Sequence, residues 1–352
     1  MIRALDRFSI QTRANIVSIS LSLLATFVIT VILILLIGKN PLPIFTTMFT
    51  DVFLSGYGIG QTLFRATPLI ICGCGLAFCF HASLFNIGAE GQLNAGAFTM
   101  GLLAVSLSNL PWYISIPVCI IVSFGVSAFF GLIPAIIKIK KDVSEVITTI
   151  MLNFIIMALI NYLLVDFFAV KSTMRTEKIP DSFMLLKFSS LSSFFQGSSL
   201  NICFIIALIL AFISYIVIYK TKFGYEIRAV GFNPSAAKYI GISPNKIIIL
   251  TFVIGAGITS LVGLNFIMGY KGFYEYGFSN NVGFTAIAVA LLARNNPIGV
   301  IFSAILFGVL DFGGLAVNDL VPKEIVLVVQ GVIILTILSI NTVVDKKYNL
   351  QK

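Results

Sequence analysis

The sequence predicts an all-α fold: a polytopic membrane protein of about ten transmembrane helices, two of them short or discontinuous, with both termini cytoplasmic. Three observations carry that expectation. Residues of the set AVILMFWYC make up 58% of the 352, charged residues only 11%, and the mean hydropathy is +1.04. A soluble domain carries about 25% charge, so this chain lacks the polar surface to cover itself in water. Apolar stretches also recur at the length of a membrane-crossing helix, roughly 20 residues. Finally, a polar, glycine-interrupted run, Phe85-Asn86-Ile87-Gly88-Ala89-Glu90-Gly91-Gln92, lies inside one of those stretches. Polar groups at such depth are costly and usually face a bundle interior or a water-filled path.

On that yardstick the spans fall near 16–38, 58–80, 90–109, 112–137, 145–168, 200–219, 247–269, 283–293, 297–317 and 323–342. The first follows Arg3, Arg7 and Arg13. Its apolar run is too long for a cleaved signal segment and has no small-residue cleavage site. The third begins at the broken polar run, and the eighth is only half-length. Shortened segments in opposite halves of a chain are expected where an internal repeat builds a central pathway. One transmembrane domain is expected over residues 1–352, with its membrane region at 16–342.

Lysine and arginine set the orientation. With the N-terminus inside, fifteen fall in cytoplasmic segments and seven outside, with Arg65 near the outer end of the second span. That excess places both termini inside a cytoplasmic (inner) cell membrane. Residues 170–199, polar and Ser-rich with Pro180, become an extracytoplasmic loop. The net charge of +9 therefore follows membrane topology, and no nucleic-acid partner is expected. Cys72, Cys74, Cys79, Cys119 and Cys203 all lie in apolar stretches and read as small hydrophobes. With His81 as the single histidine, no metal site is expected.

The longest cytoplasmic connection, residues 220–246, has a short helix written into it. Asn233 is a good N-cap, Pro234 suits the first helical position, and Gly241 suits a left-handed stop. Ser235, Ala236 and Ala237 lead to Lys238 and Tyr239 at the tip. Such a helix under a transport bundle is a natural lever for a cytoplasmic motor. A loop that merely pins topology is the plainer alternative.

These residues resemble a known family. The run at 85–92 (FNIGAEGQ) resembles the signature of nucleoside-type permease subunits of ATP-binding-cassette importers, a branch related to the ribose and branched-chain amino acid permeases. The stretch 145–153 (EVITTIMLN) is similar to the family's fifth-helix pattern, and 223–242 to its cytoplasmic coupling segment. Residues 283–292 (GFTAIAVALL), with Pro297 and Gly299, are similar to its eighth-span region. The resemblance covers roughly 55–340. It implies inward transport of nucleosides or related purine compounds by alternating access. It also implies a second permease (a paralogue or the chain itself), a cytoplasmic ABC ATPase, an extracytoplasmic substrate-binding lipoprotein and surrounding membrane lipids. No Gly-x-x-x-x-Gly-Lys-Ser/Thr run exists here, so ATP and Mg are expected on partner subunits, and the chain itself is expected to bind no cofactor and catalyse nothing.

Within this frame Asn86, Glu90, Gln92, Asn94, Asn153, Asn265 and Asp311 are the residues expected along the path. Asn86, Glu90 and Asn94 are four apart and would share one face of a continuous helix. Glu90 can accept hydrogen bonds from ribose hydroxyls, or it can cap the amides of a broken helix. Glu145, Thr149 and Asn153 repeat the four-residue spacing. Asn161 suits an interhelical hydrogen bond, and Asp166 lies near the outer surface. Gly255, Thr259 and Gly263 form a small-residue packing stripe. Tyr270, Phe273, Tyr274, Tyr276 and Phe278 read as an interfacial belt or a docking site for the binding protein, with base stacking the alternative. Coupling to the ATPase is expected at Asn233, Pro234, Ser235, Ala236, Ala237, Lys238, Tyr239 and Gly241. Three rivals stand beside this reading: a permease for a sugar or other small polar solute, an ion-coupled secondary transporter using Glu90 and Asp311, and an intramembrane enzyme. The last lacks a nucleophile–base pair.

Overall fold

Small residues face inward and large apolar ones outward along several of the long helices of the computed structural model, which describes residues 20–320 apart from 22, 23, 26 and 37, together with 328–329, 331–332, 335–336 and 339–340. The elements are α1 (Phe27–Leu36), α2 (Pro41–Phe53), α3 (Gly56–His81), α4 (Ala89–Ser106), α5 (Trp112–Lys141), α6 (Glu145–Leu163), α7 (Cys203–Lys220), α8 (Lys222–Phe232), α9 (Pro234–Tyr239), α10 (Pro244–Thr259), α11 (Val282–Leu292) and α12 (Pro297–Ala316). Two isolated β-bridges are the only sheet-like pairing among the described residues. Six helical stretches there are long and apolar enough to cross a membrane. They are Gly56–His81, Trp112–Lys141, Glu145–Phe168, Cys203–Lys220, Pro244–Lys271 and Pro297–Ala316. The expected third and eighth spans are α4, which opens late at Ala89, and the short α11. Part of the first span and most of the tenth, with both termini, lie outside the described residues.

Chain contacts form two groupings: residues up to Gly58 with those from Val309 onward, and Ile59–Gly308. In the first, Ile34, Ile44 and Val317 make a small core flanked by Phe45 and Met48. Asp311 lies half-buried on α12.

In the second grouping α4 is the central helix, packed by α5, α6, α10 and α11. Its small and polar side chains are buried from Ala89 to Ala104. The surrounding helices show why. On α5 the buried face is Ser115, Cys119, Ser123, Ser127, Gly131 and Ala135, each four residues from the last. Its exposed face carries Trp112, Ile121 and Phe129. On α7, Cys203, Ala207 and Ala211 face inward while Ile209 and Phe212 face out. With hydrocarbon outside, close backbone approach rather than apolar bulk holds such helices together. All five cysteines are free, buried members of these packing faces.

The small-residue stripe of the seventh span, Gly255, Thr259 and Gly263, packs in this way. A Cβ on Gly75 would lie 2.6 Å from the Gly255 carbonyl oxygen, and one on Gly263 would lie 3.1 Å from Ala97 Cα. The seventh span is not a uniform helix. It turns irregularly at residues 260–261 and continues as a wider helical segment, Leu264–Lys271. The connection at 220–246 holds one helix more than the sequence suggests, since α8 precedes the expected α9. Asn233 caps α9 by accepting from Ala236 N–H at 3.0 Å, and Gly241 takes φ +84°.

Overpacking a tight crossing costs about 1–3 kcal/mol, so Gly255→Val, with γ-methyl groups aimed at the α3 backbone, is expected to destabilise by at least that much. Thermal unfolding of the purified permease in detergent measures it. Unchanged stability would mean that α3 and α10 do not meet at these glycines.

Candidate functional site

Between α3 and α4 the backbone leaves helical geometry over residues 82–88, with Ala82, Leu84, Asn86 and Gly88 buried and Ser83 exposed. Irregular backbone survives at membrane depth only where protein or water satisfies it. Here α6 does so. Its residues Glu145, Thr149 and Asn153 line one face and address the segment in register. Glu145 Oε1 accepts from Phe85 N–H at 3.4 Å, and Thr149 Oγ1 accepts from Ile87 N–H at 3.3 Å. Asn153 is bivalent: Oδ1 accepts from Gly91 N–H at 2.8 Å, and Nδ2 donates to the Ile87 carbonyl at 2.8 Å. Lys138 at the end of α5 donates to Glu145 Oε2 at 2.7 Å and fixes the lower end of the clamp. Gly91 is required for this approach, because a Cβ there would lie 2.8 Å from Asn153 Oδ1.

The segment also closes on itself. Asn86 Nδ2 donates to Gln92 Oε1 at 2.9 Å, and Asn86 Oδ1 accepts from Gly88 N–H at 2.9 Å. The Gln92 carbonyl accepts from Ser127 of α5 at 2.6 Å. Asn86 and Gln92 are thus buried partners in the break. Because α4 starts only at Ala89, Asn86 lies outside the helix and does not share a helical face with Glu90 and Asn94.

Glu90, in the first turn of α4, serves a different helix end. Its Oε2 accepts from Gly283 N–H at 2.7 Å, and its Oε1 accepts from Ser279 Oγ at 2.5 Å and Asn94 Nδ2 at 3.2 Å. Gly283 is in the first turn of α11, whose N-cap residue, Asn281, is left-handed and makes no side-chain cap. The carboxyl of Glu90 therefore supplies the missing cap, where an acidic group is favoured by the helix dipole. A Cβ on Gly283 would lie 2.5 Å from Glu90 N. Two broken helices thus meet N-terminus to N-terminus around one carboxyl group.

The remaining expected residues are spread out. Asn265 pairs instead with Asn201, whose Nδ2 donates to Asn265 Oδ1 at 3.1 Å, and it donates to the Phe64 carbonyl at 3.3 Å. Asp311 belongs to the first grouping. Asn161 Oδ1 finds no hydrogen-bond partner among the described residues, so the interhelical bond expected there is not seen. Tyr274 and Phe278 are buried at 0% and 6% exposure, which removes them from the expected interfacial belt; Tyr270, at 42%, fits it. Sequence reasoning missed Ser279, Gly283, Ser127 and Asn201. The Asn280-Asn281 pair before an apolar run was the available signal for the start of α11.

A buried polar group left unpaired costs about 1–3 kcal/mol. Asn153→Ala strands two, Gly91 N–H and the Ile87 carbonyl, and is expected to destabilise by about 2–4 kcal/mol. Asn161→Ala is expected to stay within ~0.5 kcal/mol. Thermal unfolding of both variants tests the clamp, and equal losses would overturn it.

Residues 58–338 match the family model described as the branched-chain amino acid transport system / permease component. The chain is similar to the nucleoside ABC transporter permease protein NupB of Lactococcus lactis subsp. cremoris, with 37% identity over 88% of this chain and 86% of that one. It is similar to the guanosine ABC transporter permease protein NupP of Bacillus subtilis, with 36% identity over 84% and 85%. The glucose ABC transporter permease protein TsgB13 of Haloferax volcanii is 31% identical over 91% and 86%. With most of its length inside the match, and with apolar helices of membrane-crossing length, the chain belongs to the family of branched-chain amino acid transport system permease components.

Proposed function

We propose that the chain is the membrane-spanning subunit of an ABC importer and carries nucleosides or related purine compounds inward by alternating access. The observation that carries this reading is the similarity, over more than four-fifths of the chain, to permeases named for nucleosides and guanosine. The site's chemistry agrees with it. Converging helix N-termini ordinarily favour an anion. Here Glu90 already occupies that position, so a cargo bearing its own carboxylate or phosphate would meet an acidic side chain. A neutral, hydroxyl-rich solute brings no charge for it to repel and can donate hydrogen bonds to it. The permease named for glucose supports a neutral sugar as the second reading.

The residues proposed to line the path are Asn86, Glu90, Gln92, Asn94, Asn153 and Asn265. The driving force comes from partner ATPase subunits that hold ATP and Mg. Residues 233–241 transmit it, and both termini face the cytoplasm of the inner cell membrane. A second permease and an extracytoplasmic binding lipoprotein complete the complex. The form of α9 supports the coupling role: Ala237 is buried against the bundle while Lys238 is exposed and Tyr239 is 93% exposed. Ser83 Oγ donates to the Gly231 carbonyl of α8 at 2.7 Å, which joins the α8–α9 unit to the foot of the broken segment.

In vesicles containing the permease and its partners, nucleoside uptake should require ATP and persist when the proton gradient is collapsed. Uptake that follows the gradient instead sinks the ATP-driven reading. Lys238→Glu with Tyr239→Glu should lower uptake ~10-fold while the permease still inserts and ATP hydrolysis continues, the size expected for an exposed aromatic anchor. Normal coupling in that variant would remove α9 from the role.

A further inference from the structure

Residues 272–281, between the segment Leu264–Lys271 and α11, fold back into the bundle and cover one face of α4. That face is Glu90, Asn94 and Phe98, four residues apart. The Tyr274 ring meets Phe98 edge-on at 5.1 Å and Phe278 at 5.4 Å. Its hydroxyl donates to Asn94 Oδ1 at 3.4 Å, while Ser279 donates to Glu90. The contacts with Glu90, Asn94 and Phe98 are thus made by side chains.

The backbone of the same segment is tied to the outer loop. Thr176 N–H donates to the Tyr274 carbonyl at 2.9 Å, and Tyr276 N–H donates to the Met174 carbonyl at 3.0 Å. Ile179 N–H donates to the Gly272 carbonyl at 2.8 Å, and the Arg175 guanidinium lies 4.8 Å from the centre of the Phe273 ring. Left-handed residues punctuate the segment: Gly272 (φ +75°), Gly277 (+80°), Asn280 (+44°) and Asn281 (+64°). Loop residues of this kind absorb hinge motion. The segment is therefore built to travel with the outer loop and to part from α4.

We propose that residues 272–281 form a gate leaf. The α4 face beneath it, together with the leaf's own aromatic rings, forms the subsite for a neutral solute that carries an aromatic ring and hydroxyl groups. When closed, the leaf supplies from the chain itself what such a solute would bring: a ring against Phe98 and a hydroxyl on Glu90. When the leaf lifts, Phe98, Tyr274 and Phe278 offer faces for stacking that tolerate any base. Glu90 is then an acceptor for sugar hydroxyls, and Asn94 can both donate and accept. The proposal rests on the nucleoside reading above and adds the residues that would recognise the cargo.

The test uses the assembled transporter in vesicles. In the double variant Asn94→Cys, Ser279→Cys, oxidation should link leaf to α4 and cut uptake at least ~10-fold, with reductant restoring it. A pair that does not cross-link, or uptake unchanged by the link, overturns the leaf. Should the reduced pair be inactive, Ser279→Cys alone carries the test. Its thiol should react several-fold faster with an impermeant maleimide during ATP turnover than at rest, and equal labelling overturns the leaf. Tyr274→Leu should raise KM for a nucleoside roughly tenfold, whereas Tyr274→Phe stays within about threefold and uptake of a ring-free pentose changes little. Equal losses for nucleoside and pentose overturn the subsite while leaving nucleoside import intact. A wild-type complex that imports pentose but no nucleoside sinks the nucleoside reading instead, and the cross-link, read on pentose, still decides the leaf.

Discussion

The structure depends on satisfying a stretch of non-helical backbone in the middle of a membrane bundle. Over residues 82–88 the ladder is interrupted: Ala82, Ser83 and Leu84 N–H still donate to α3 carbonyls and the Gly88 carbonyl still accepts from α4, but Phe85 N–H, Ile87 N–H and the Ile87 carbonyl find their partners on side chains. Three side chains of α6, with a carboxylate, a hydroxyl and a carboxamide four residues apart, take up that requirement. Once they do, α4 can begin at Ala89, deep in the bundle rather than at its edge.

The start of α4 is also where mechanical connections meet. Below, Ser83 bonds to α8, which is continuous with the α9 tip. At the side stand α6 and its lysine tie to α5. Above, Glu90 joins α11 and residue 279, and the leaf beyond them is bonded to Met174, Thr176 and Ile179. A single segment of about ten residues is thus linked to α8 on one side and, through Glu90, to α11 and residue 279 on the other. Rigid elements joined at one irregular segment are the arrangement expected where movement at one face must reach the other.

The break itself was legible in the sequence, because Asn86, Glu90 and Gln92 interspersed with Gly88 and Gly91 cannot be a lipid-facing helix. The α6 face was legible as spacing, since Glu145, Thr149 and Asn153 fall on one side of any helix. Capping chemistry gave α9 through Asn233 and Pro234. The partners were not legible. Glu90 reaches Gly283 across 193 positions of sequence, a tertiary fact with no local signal. Tyr274 and Phe278 read as belt residues because aromatic composition near a span end is the same whether the loop stays at the interface or folds inward. The shared face of Asn86, Glu90 and Asn94 depended on helix continuity, and the same glycines that announce the break remove Asn86 from that face. The extra helix α8 was hidden because Gly224 and Gly231 argue locally against a helix, while its buried Ile227 and Val230 favour one only in the folded bundle.

Energetics explain what so many converging polar groups do here. A side-chain hydrogen bond between membrane helices is worth about 0.6 kcal/mol on average, little more than thermal energy. A stranded partner costs about 1–3 kcal/mol, so the penalty for a wrong arrangement far exceeds the reward for the right one. Such a cluster acts mainly by exclusion: it admits arrangements in which each donor finds an acceptor and rejects the rest. Around Glu90 the donors come from α4, residue 279 and α11. A moving leaf can therefore be replaced only by something that brings matching hydroxyl or amide groups. A solute with hydroxyls does so and an apolar one does not, and water alone would leave the rings of Phe98 and Tyr274 wetted. The polarity that makes this segment expensive in a membrane is also what restricts what can take the leaf's place.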